Sequence, residues 1–445
     1  MLNAARLGAA ALSAALLSGV AAGPALADSP APAAPGSPAA PSSAGAQGSP
    51  TAPAAPSSAA APVLPDGLYG KSDPTYDGVW RQSLALSALS AAKVTPADSA
   101  VAWLTGQQCE DGGWPSYRAA GAACDAKTED SNATAVAIQA LVALGGHQGA
   151  VDKGVQWLKA NQNPDGSWPY NPGNPGDANS TGLAVNALFA ARTDPASVAK
   201  AGKGGAAGKN AFDGLALFQL GCTAPADQRG AFAFQPDPAG GALAPNTLAS
   251  AQAALAAAGG HLPVTTSVRA DATPTALACT DGSAPATIPH AEAGEAVSAY
   301  LTAQLTAGSE HLSVAAPGAE PKPDYAATAW AALALVQSGH PEQASDAVDW
   351  LEGQGATWTK NGTDAAATAT LLLVSEAAHR STADLTGQLT ALGPAPKAGA
   401  ATAEATPAAK KDSGFGQLWL IIVGLLVGIG GGLLLSLQRK RNPNL

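Results

Sequence analysis

Charged residues are scarce in this chain, at 13% of its 445 residues, and the acidic ones prevail to give a formal net charge of −10. No stretch of the sequence interleaves clustered lysine and arginine with aromatic residues. Proteins that bind nucleic acid need such a basic surface, because much of their affinity comes from contacts with phosphate. The composition therefore argues against nucleic acid as a partner.

Cysteine is also rare, and its spacing narrows what it can do. None of the four cysteines forms a CxxC pair, the close spacing that favours a structural zinc site. In a chain that is exported, an even number of cysteines favours disulfide bonds. The simplest arrangement pairs neighbours, Cys109 with Cys124 and Cys222 with Cys279, although the sequence leaves the other pairings open.

The two ends of the chain have the composition of targeting and tethering segments. Arg6, an apolar run and the AxA sequence ending at Ala27 have the layout of a secretory signal. Proline, alanine, serine and glycine dominate the next segment, which is too poor in large apolar side chains to order itself. The predicted organisation is a signal peptide at 1–27, a disordered linker at 28–64, a helical domain at 65–392 and a second linker at 393–414.

The C-terminal region contains an uncharged run that is long enough to cross a bilayer, at 415–437. The tail that follows, 438–445, carries three cations, which predicts that it lies in the cytoplasm. We therefore expect a single-pass protein of the cell membrane with its N-terminal region outside the cell.

Runs that alternate apolar and polar residues are missing between 65 and 392, which argues against a sheet. Two helical patterns alternate along this part of the chain instead. One is rich in alanine and leucine and starts at an Asp or Asn, near Asp77, Asp130, Asp177, Asn246, Asp324 and Asp364. The other is amphipathic, and we place it near 96–108, 150–162, 210–220, 291–306, 342–354 and 382–391. Because small side chains let helices approach closely, the alanine-rich type should be the inner one. We predict an all-α fold, an α/α toroid of six inner and six outer helices.

A tryptophan turn follows two of the amphipathic helices. CEDGGWPSY and NPDGSWPYN are its two sharp copies, and Gln108 precedes Trp114 by the same interval as Gln162 precedes Trp168. This pattern resembles the QW motif, or squalene oxidase repeat, of the terpenoid cyclase and protein prenyltransferase superfamily. The resemblance covers roughly 66–392, implies the α/α toroid, and implies that these four residues join outer helices. The Asp-to-Thr pattern of the inner helices also resembles the ring domain of cobalamin carriers such as transcobalamin and intrinsic factor.

The chemistry of that superfamily depends on motifs that this chain does not contain. Its cyclases use DxDD as a strong acid or DDxxD to hold magnesium, and its prenyltransferases hold zinc partly through DxC. None of these sequences occurs here. We therefore expect no cofactor or metal, and a member of the superfamily that binds rather than catalyses.

The polar residues that open the inner helices are the predicted site. Each one suits an N-cap, but a closed ring would also gather them around one mouth, which is a typical layout for a ligand site. The predicted rim consists of Asp130, Asn132, Thr134, Asp177, Asn179, Asn246, Asp324, Tyr325 and Asp364. The resemblance to cobalamin carriers implies a corrinoid or a comparably polar, flat ligand there.

Three functions fit these observations. The first is a surface receptor that binds a ligand at the rim and feeds an importer or another surface protein. The second is an extracellular enzyme, either carbohydrate-active, with Asp130 and Asp177 or Asp324 and Asp364 as paired carboxylates, or a degenerate cyclase or prenyltransferase. The third is an interaction module with a purely structural role.

Overall fold

The structure is a computed structural model, and it describes residues 64–200, 208–237, 240–265, 273–279, 288–315 and 319–398. The predicted signal peptide, membrane span and cytoplasmic tail lie outside these residues, as do most of the two linkers. Across the described ranges, no helix has both the length and the apolar character needed to span a bilayer.

The described residues form a mostly helical domain. Its α-helices are α1 (Gly78–Ala91), α2 (Asp98–Gln107), α3 (Ser131–Leu144), α4 (Gln148–Asn161), α5 (Ala178–Ala190), α6 (Ala211–Ala216), α7 (Thr247–Ala257), α8 (His290–Ala307), α9 (Tyr325–Gln337), α10 (Pro341–Gly353), α11 (Gly355–Trp358), α12 (Ala365–Ala377) and α13 (Ala383–Ala391). One small hairpin pairs β1 (Ser313–Val314) with β2 (Lys322–Pro323) in antiparallel register.

Six of these helices close a ring. Helix α1 packs on α3, α3 on α5, α5 on α7, α7 on α9 and α9 on α12, and α12 returns to α1. These helices are the alanine-rich ones, and most of their residues are buried. Small side chains allow each of them to touch two inner neighbours and an outer helix at once. The arrangement is that of an α/α toroid.

An outer helix follows each inner one and packs against it, in the pairs α1–α2, α3–α4, α5–α6, α7–α8, α9–α10 and α12–α13. The outer helices bury one face only. In α4, for example, Val151 and Leu158 are buried while Lys153 and Lys159 are exposed. An amphipathic helix of this kind belongs at the surface of the domain.

The tryptophan turns hold neighbouring outer helices together. Trp114 is fully buried, and its indole N–H donates to the carbonyl oxygen of Leu104 at 2.9 Å, within the preceding outer helix. The side-chain amide of Gln108 donates to the carbonyl oxygens of Gly112 (3.0 Å) and Ala150 (2.9 Å), and the second of these lies in the next outer helix, α4. The turn is therefore part of the scaffold.

The second copy of the turn repeats this geometry. A third copy, which is degenerate in sequence, repeats part of it. Trp168 is fully buried and donates to Leu158, while Gln162 donates to the carbonyl oxygen of Val198, just ahead of α6. Gln219 has the same role without a tryptophan, because it donates to the carbonyl oxygen of Ala293 in α8 at 3.0 Å.

Both predicted disulfides are present, Cys109–Cys124 and Cys222–Cys279. In the chain-entropy model each bridge stabilises the fold by restricting the unfolded chain, and the effect grows with the number of residues that the bridge encloses. The described residues contain no free cysteine.

The two ends of the domain meet beside the contact between α1 and α12. The backbone N–H of Gly70 donates to the carbonyl oxygen of Leu392 at 3.0 Å. A few residues further on, the ammonium group of Lys397 lies 2.6 Å from the Asp98 carboxylate. The chain therefore enters and leaves the ring at neighbouring points.

A segment after α7 covers one end of the ring. The backbone N–H of Leu262 donates to Oε1 of Gln139 in α3 at 2.8 Å, although α5 lies between α3 and α7 in the ring. Leu262 and Val264 are both buried. This is the end at which the inner helices finish, and the end where they begin carries the polar residues of the predicted rim.

Candidate ligand site at the N-terminal end of the inner helices

Every inner helix begins at an aspartate or asparagine. In five of them the side chain accepts a backbone N–H of the first turn, which identifies Asp130, Asp177, Asn246, Asp324 and Asp364 as N-caps. Such a cap stabilises a helix by about 1 kcal/mol. The caps of α3 and α5 are within electrostatic range of each other, because the negative charge of Asp130 contributes to raising the pKa of Asp177.

Two of the predicted rim carboxylates lie behind the mouth rather than on it. Asp130 and Asp177 are each only 3% exposed. Asp130 accepts the hydroxyl of Ser116 at 2.8 Å besides its two backbone N–H groups, and Asp177 accepts both the N–H and the hydroxyl of Ser180 at 2.8 Å. Burial raises the pKa of both carboxyl groups. Their hydrogen-bonding capacity is taken up within the protein.

Thr134 also does not line the mouth, which corrects the rim predicted from the sequence. It is fully buried, and its hydroxyl accepts the backbone N–H of Trp114 at 2.9 Å. The later inner helices repeat this bond with the residue four past the cap: Thr181 with Trp168, Ser250 with Phe232, and Thr328 with Leu312. The Asp-to-Thr spacing is therefore a structural feature of the repeat.

Asparagines two positions past the caps of α3 and α5 do reach the mouth. Asn132 and Asn179 are both partly exposed. The side-chain amide of Asn179 donates to Oε1 of Gln252 in α7 at 2.5 Å, a bond between adjacent inner helices. Oδ1 of Asn132 is buried and has no hydrogen-bond partner among the described residues. Both side chains are neutral amides, which can donate and accept hydrogen bonds.

Two indoles meet across the inner ring. Trp80 in α1 is partly exposed, Trp330 in α9 is 2% exposed, and their ring centroids are 6.3 Å apart. Helix α12 separates α1 from α9 in the ring, so this contact reaches inward past α12. The sequence shows both residues but gives no reason to pair them. The partly exposed indole of Trp80 offers an aromatic surface for a flat ligand.

Tyr325 faces a different neighbourhood from the one predicted for it. Its ring stacks on Trp350, with centroids 5.2 Å apart, and on Trp358, at 5.9 Å. His311 stacks on the far side of Trp350 at 4.5 Å. The four rings form a column against the outer helices and cover one another, so Tyr325 mainly packs there.

The acidic groups on the α12 side of the mouth have basic partners. Lys360 Nζ lies 2.8 Å from the carboxylate of Asp364, and Arg81 lies 2.9 Å from that of Asp77. Asp77, at the start of α1, completes the set of six helix starts, but it makes no side-chain cap bond. This side of the mouth is therefore close to electrically neutral.

Three more residues complete the predicted rim. Asn246, at the start of α7, is exposed, and Asp324 and Asp364, at the starts of α9 and α12, are partly exposed. No group of three or more His, Cys, Asp or Glu residues in the described part of the chain is arranged to hold a metal ion.

Comparison with known proteins supports the family resemblance over the first part of the ring. Residues 67–184 match the model of the squalene-hopene cyclase C-terminal domain. This confirms the resemblance to the terpenoid cyclase and prenyltransferase superfamily, whereas the resemblance to cobalamin carriers stays a prediction. No curated protein matches the chain. Among solved structures, the chain is similar to a protein from Actinoplanes at 15% identity and a TM-score of 0.43, covering 71% of this chain and 94% of that one.

Proposed function

We propose that this chain is a non-catalytic binding protein whose terpenoid-cyclase-like ring holds a neutral, polar ligand at the N-terminal mouth of its inner helices. The observation that carries the proposal is the group of side-chain amides there. Asn179 and Gln252 bridge two inner helices, and the buried Oδ1 of Asn132 has no hydrogen-bond partner among the described residues. A buried acceptor of this kind costs free energy until a ligand or water satisfies it.

The proposed ligand is flat and carries amide or hydroxyl groups. Amide side chains recognise such groups by donating and accepting at once. In this proposal the partly exposed indole of Trp80, in the inner helix α1, supplies an apolar surface for the flat face of the ligand. A corrinoid has this chemistry at its rim and is the ligand we propose to test first. In this proposal the C-terminal segment 415–437 anchors the protein in the membrane, with the ring outside the cell, where it passes its ligand to an importer.

An enzyme with paired carboxylates is the second candidate. One observation favours it, because burial raises the pKa of Asp130 and Asp177, as a general acid requires. Two observations oppose it. Both groups are almost fully buried, and both already bind backbone and hydroxyl donors of the protein. Asp324 and Asp364 are more exposed, but each caps its own helix.

Titration calorimetry and native mass spectrometry of the purified protein with cyanocobalamin test the first proposal. Asn132→Ala and Asn179→Ala should each weaken binding about tenfold, the effect of losing one hydrogen bond of roughly 1.4 kcal/mol. Gln148→Ala is the matched control, because Gln148 is an exposed amide at the opposite end of the ring. Equal affinity of all three variants would contradict a site at the mouth.

A screen against cell extract separates the two candidates. If no small molecule is retained by native mass spectrometry, ligand binding at the mouth is refuted. If the protein hydrolyses a glycoside and Asp177→Asn abolishes that activity, the enzyme is the correct reading. Surface proteolysis of intact cells tests the location independently, because an extracellular ring would be cleaved without lysis.

A further inference from the structure

The two sharp tryptophan turns differ by an exchange of two residues. In the second copy Ser167 lies in the turn and Gly176 precedes the cap of α5. In the first copy the corresponding residues are Gly113 and Glu129. A Cβ added to Gly176 would collide with the Ser167 hydroxyl, and one added to Gly113 would collide with the Glu129 carboxyl group. The Glu129 carboxyl group therefore fills the space that a serine hydroxyl fills in the second copy.

The serine shows what that position does. The Ser167 hydroxyl donates to the carboxylate of Asp165 at 2.6 Å, and the backbone N–H of Ser167 donates to the same oxygen at 3.0 Å. Asp111 is the counterpart of Asp165 in the first turn, and both a hydrogen bond with Asp111 and its negative charge raise the pKa of Glu129. A carboxylate cannot donate a hydrogen bond to another carboxylate. Glu129 can replace the serine only when it carries a proton.

The surroundings of Glu129 favour the protonated form. The residue is 1% exposed, which disfavours its charged form. It also accepts the indole N–H of Trp157 from α4, and this bond alone acts in the opposite direction and lowers the pKa of Glu129. The other charged groups that act on it are Asp111 in the turn and Asp125, which directly follows Cys124 of the Cys109–Cys124 bridge. Burial, with these two acidic neighbours, raises the pKa of Glu129 to about 7.

We propose that Glu129 and Asp111 share a proton and form a pH-sensitive latch that closes the first tryptophan turn at acidic pH and releases it above neutral pH. The neutral form of Glu129 is the one that fits the fold. The stability that this group contributes is therefore complete below its unfolded value near 4.5 and is lost as the pH rises through about 7. A charged Glu129 would be repelled by Asp111 and Asp125.

Release of the latch would also affect the start of α3. The carbonyl oxygen of Glu129 accepts the side-chain amide of Asn171 at 2.8 Å, which ties the first turn to the second. Asp130 follows directly in the chain and caps α3. Displacement of Glu129 would therefore act on the residue next to that cap, at the start of α3.

The indole N–H of Trp157 reports on the latch directly, because Glu129 is its acceptor. In a ¹H–¹⁵N spectrum of the tryptophan-labelled full chain, this resonance should titrate with a midpoint near pH 7. Glu129→Gln should abolish the titration and keep the protein folded, and Asp111→Asn should move the midpoint to lower pH. Asp165→Asn, in the second turn, is the matched control and should leave the midpoint unchanged.

The double variant Gly113→Ser with Glu129→Gly rebuilds the first turn as a copy of the second. It should fold equally well at pH 8.5 and at pH 5.5, and its Trp157 indole resonance should have the same position at both pH values. The proposal is refuted if the Trp157 resonance does not titrate in the unaltered protein, or if it titrates equally in Glu129→Gln. It is also refuted if Asp165→Asn shifts the midpoint as far as Asp111→Asn does.

Discussion

Replacing Thr181 with valine tests the hydrogen bond that joins each turn to its inner helix. Thr181 is fully buried, and its hydroxyl accepts the backbone N–H of Trp168 at 2.9 Å. Valine keeps the shape of the side chain but cannot accept a hydrogen bond, so the N–H of Trp168 loses its partner in the core. An unsatisfied buried donor costs about 1–3 kcal/mol. We expect Thr181→Val to lower the free energy of unfolding by that amount.

Urea denaturation followed by circular dichroism measures this change, with the Thr370→Val variant as control. Thr370 lies in an inner helix too, but its hydroxyl donates to the carbonyl oxygen of Ala366 one turn earlier, so its loss leaves no donor unpaired. The control should stay within about 0.5 kcal/mol of the unaltered protein. If the two variants lose equal stability, the hydroxyl of Thr181 does not hold the turn, and our account of the Asp-to-Thr spacing is wrong.

Other predictions follow from cross-links and close approaches. Removing the Cys222–Cys279 bridge, whose cysteines are 57 residues apart, should cost about 4 kcal/mol, against about 3 for the Cys109–Cys124 bridge with a separation of 15, as measured by urea denaturation of serine variants. Equal losses would contradict a dependence on loop length. Gly214→Ala should destabilise by about 1–3 kcal/mol, because an added Cβ would collide with the backbone of Gly166. Gly106 is an exposed residue of α2, and a Cβ added to it would contact no other atom. Gly106→Ala should therefore stabilise the protein by about 0.5–1 kcal/mol in the same urea denaturation experiment.

The architecture of the ring could be predicted because it depends on local and repeated signals. The outer helix expected near 150–162 is observed at Gln148–Asn161, where an amphipathic pattern and the glutamine before the turn fix its ends. The cap residue of each inner helix fixed its start in the same way, as Asp177 does for α5. Six alternating pairs then leave few ways to bury every apolar face other than a closed ring.

The site was less predictable, because its contacts join residues that are distant in the sequence. Asn179 meets Gln252 across 73 positions, and no local pattern announces that bond. The rim prediction also assumed that residues near the caps face the mouth. The side chain of Thr134 instead lies in the core, where its hydroxyl accepts the backbone N–H of Trp114.

The sequence contains a signal for Glu129. The exchange of glycine and a polar residue between the two copies becomes visible when Trp114 is aligned with Trp168 and, separately, the cap Asp130 with the cap Asp177. What the alignment cannot give is the burial of Glu129 and its bond with Trp157 from α4, and these decide its protonation.

The meeting of the chain ends beside α1 and α12 has a mechanical consequence. Gly70 and Leu392 are hydrogen-bonded neighbours, and Lys397 is paired with Asp98. A pulling force applied between the two tails therefore acts first on this short contact and on the packing of α1 against α12, and the rest of the ring is not in its path. The toroid would open first between α1 and α12, while the other inner helices stayed packed on their neighbours.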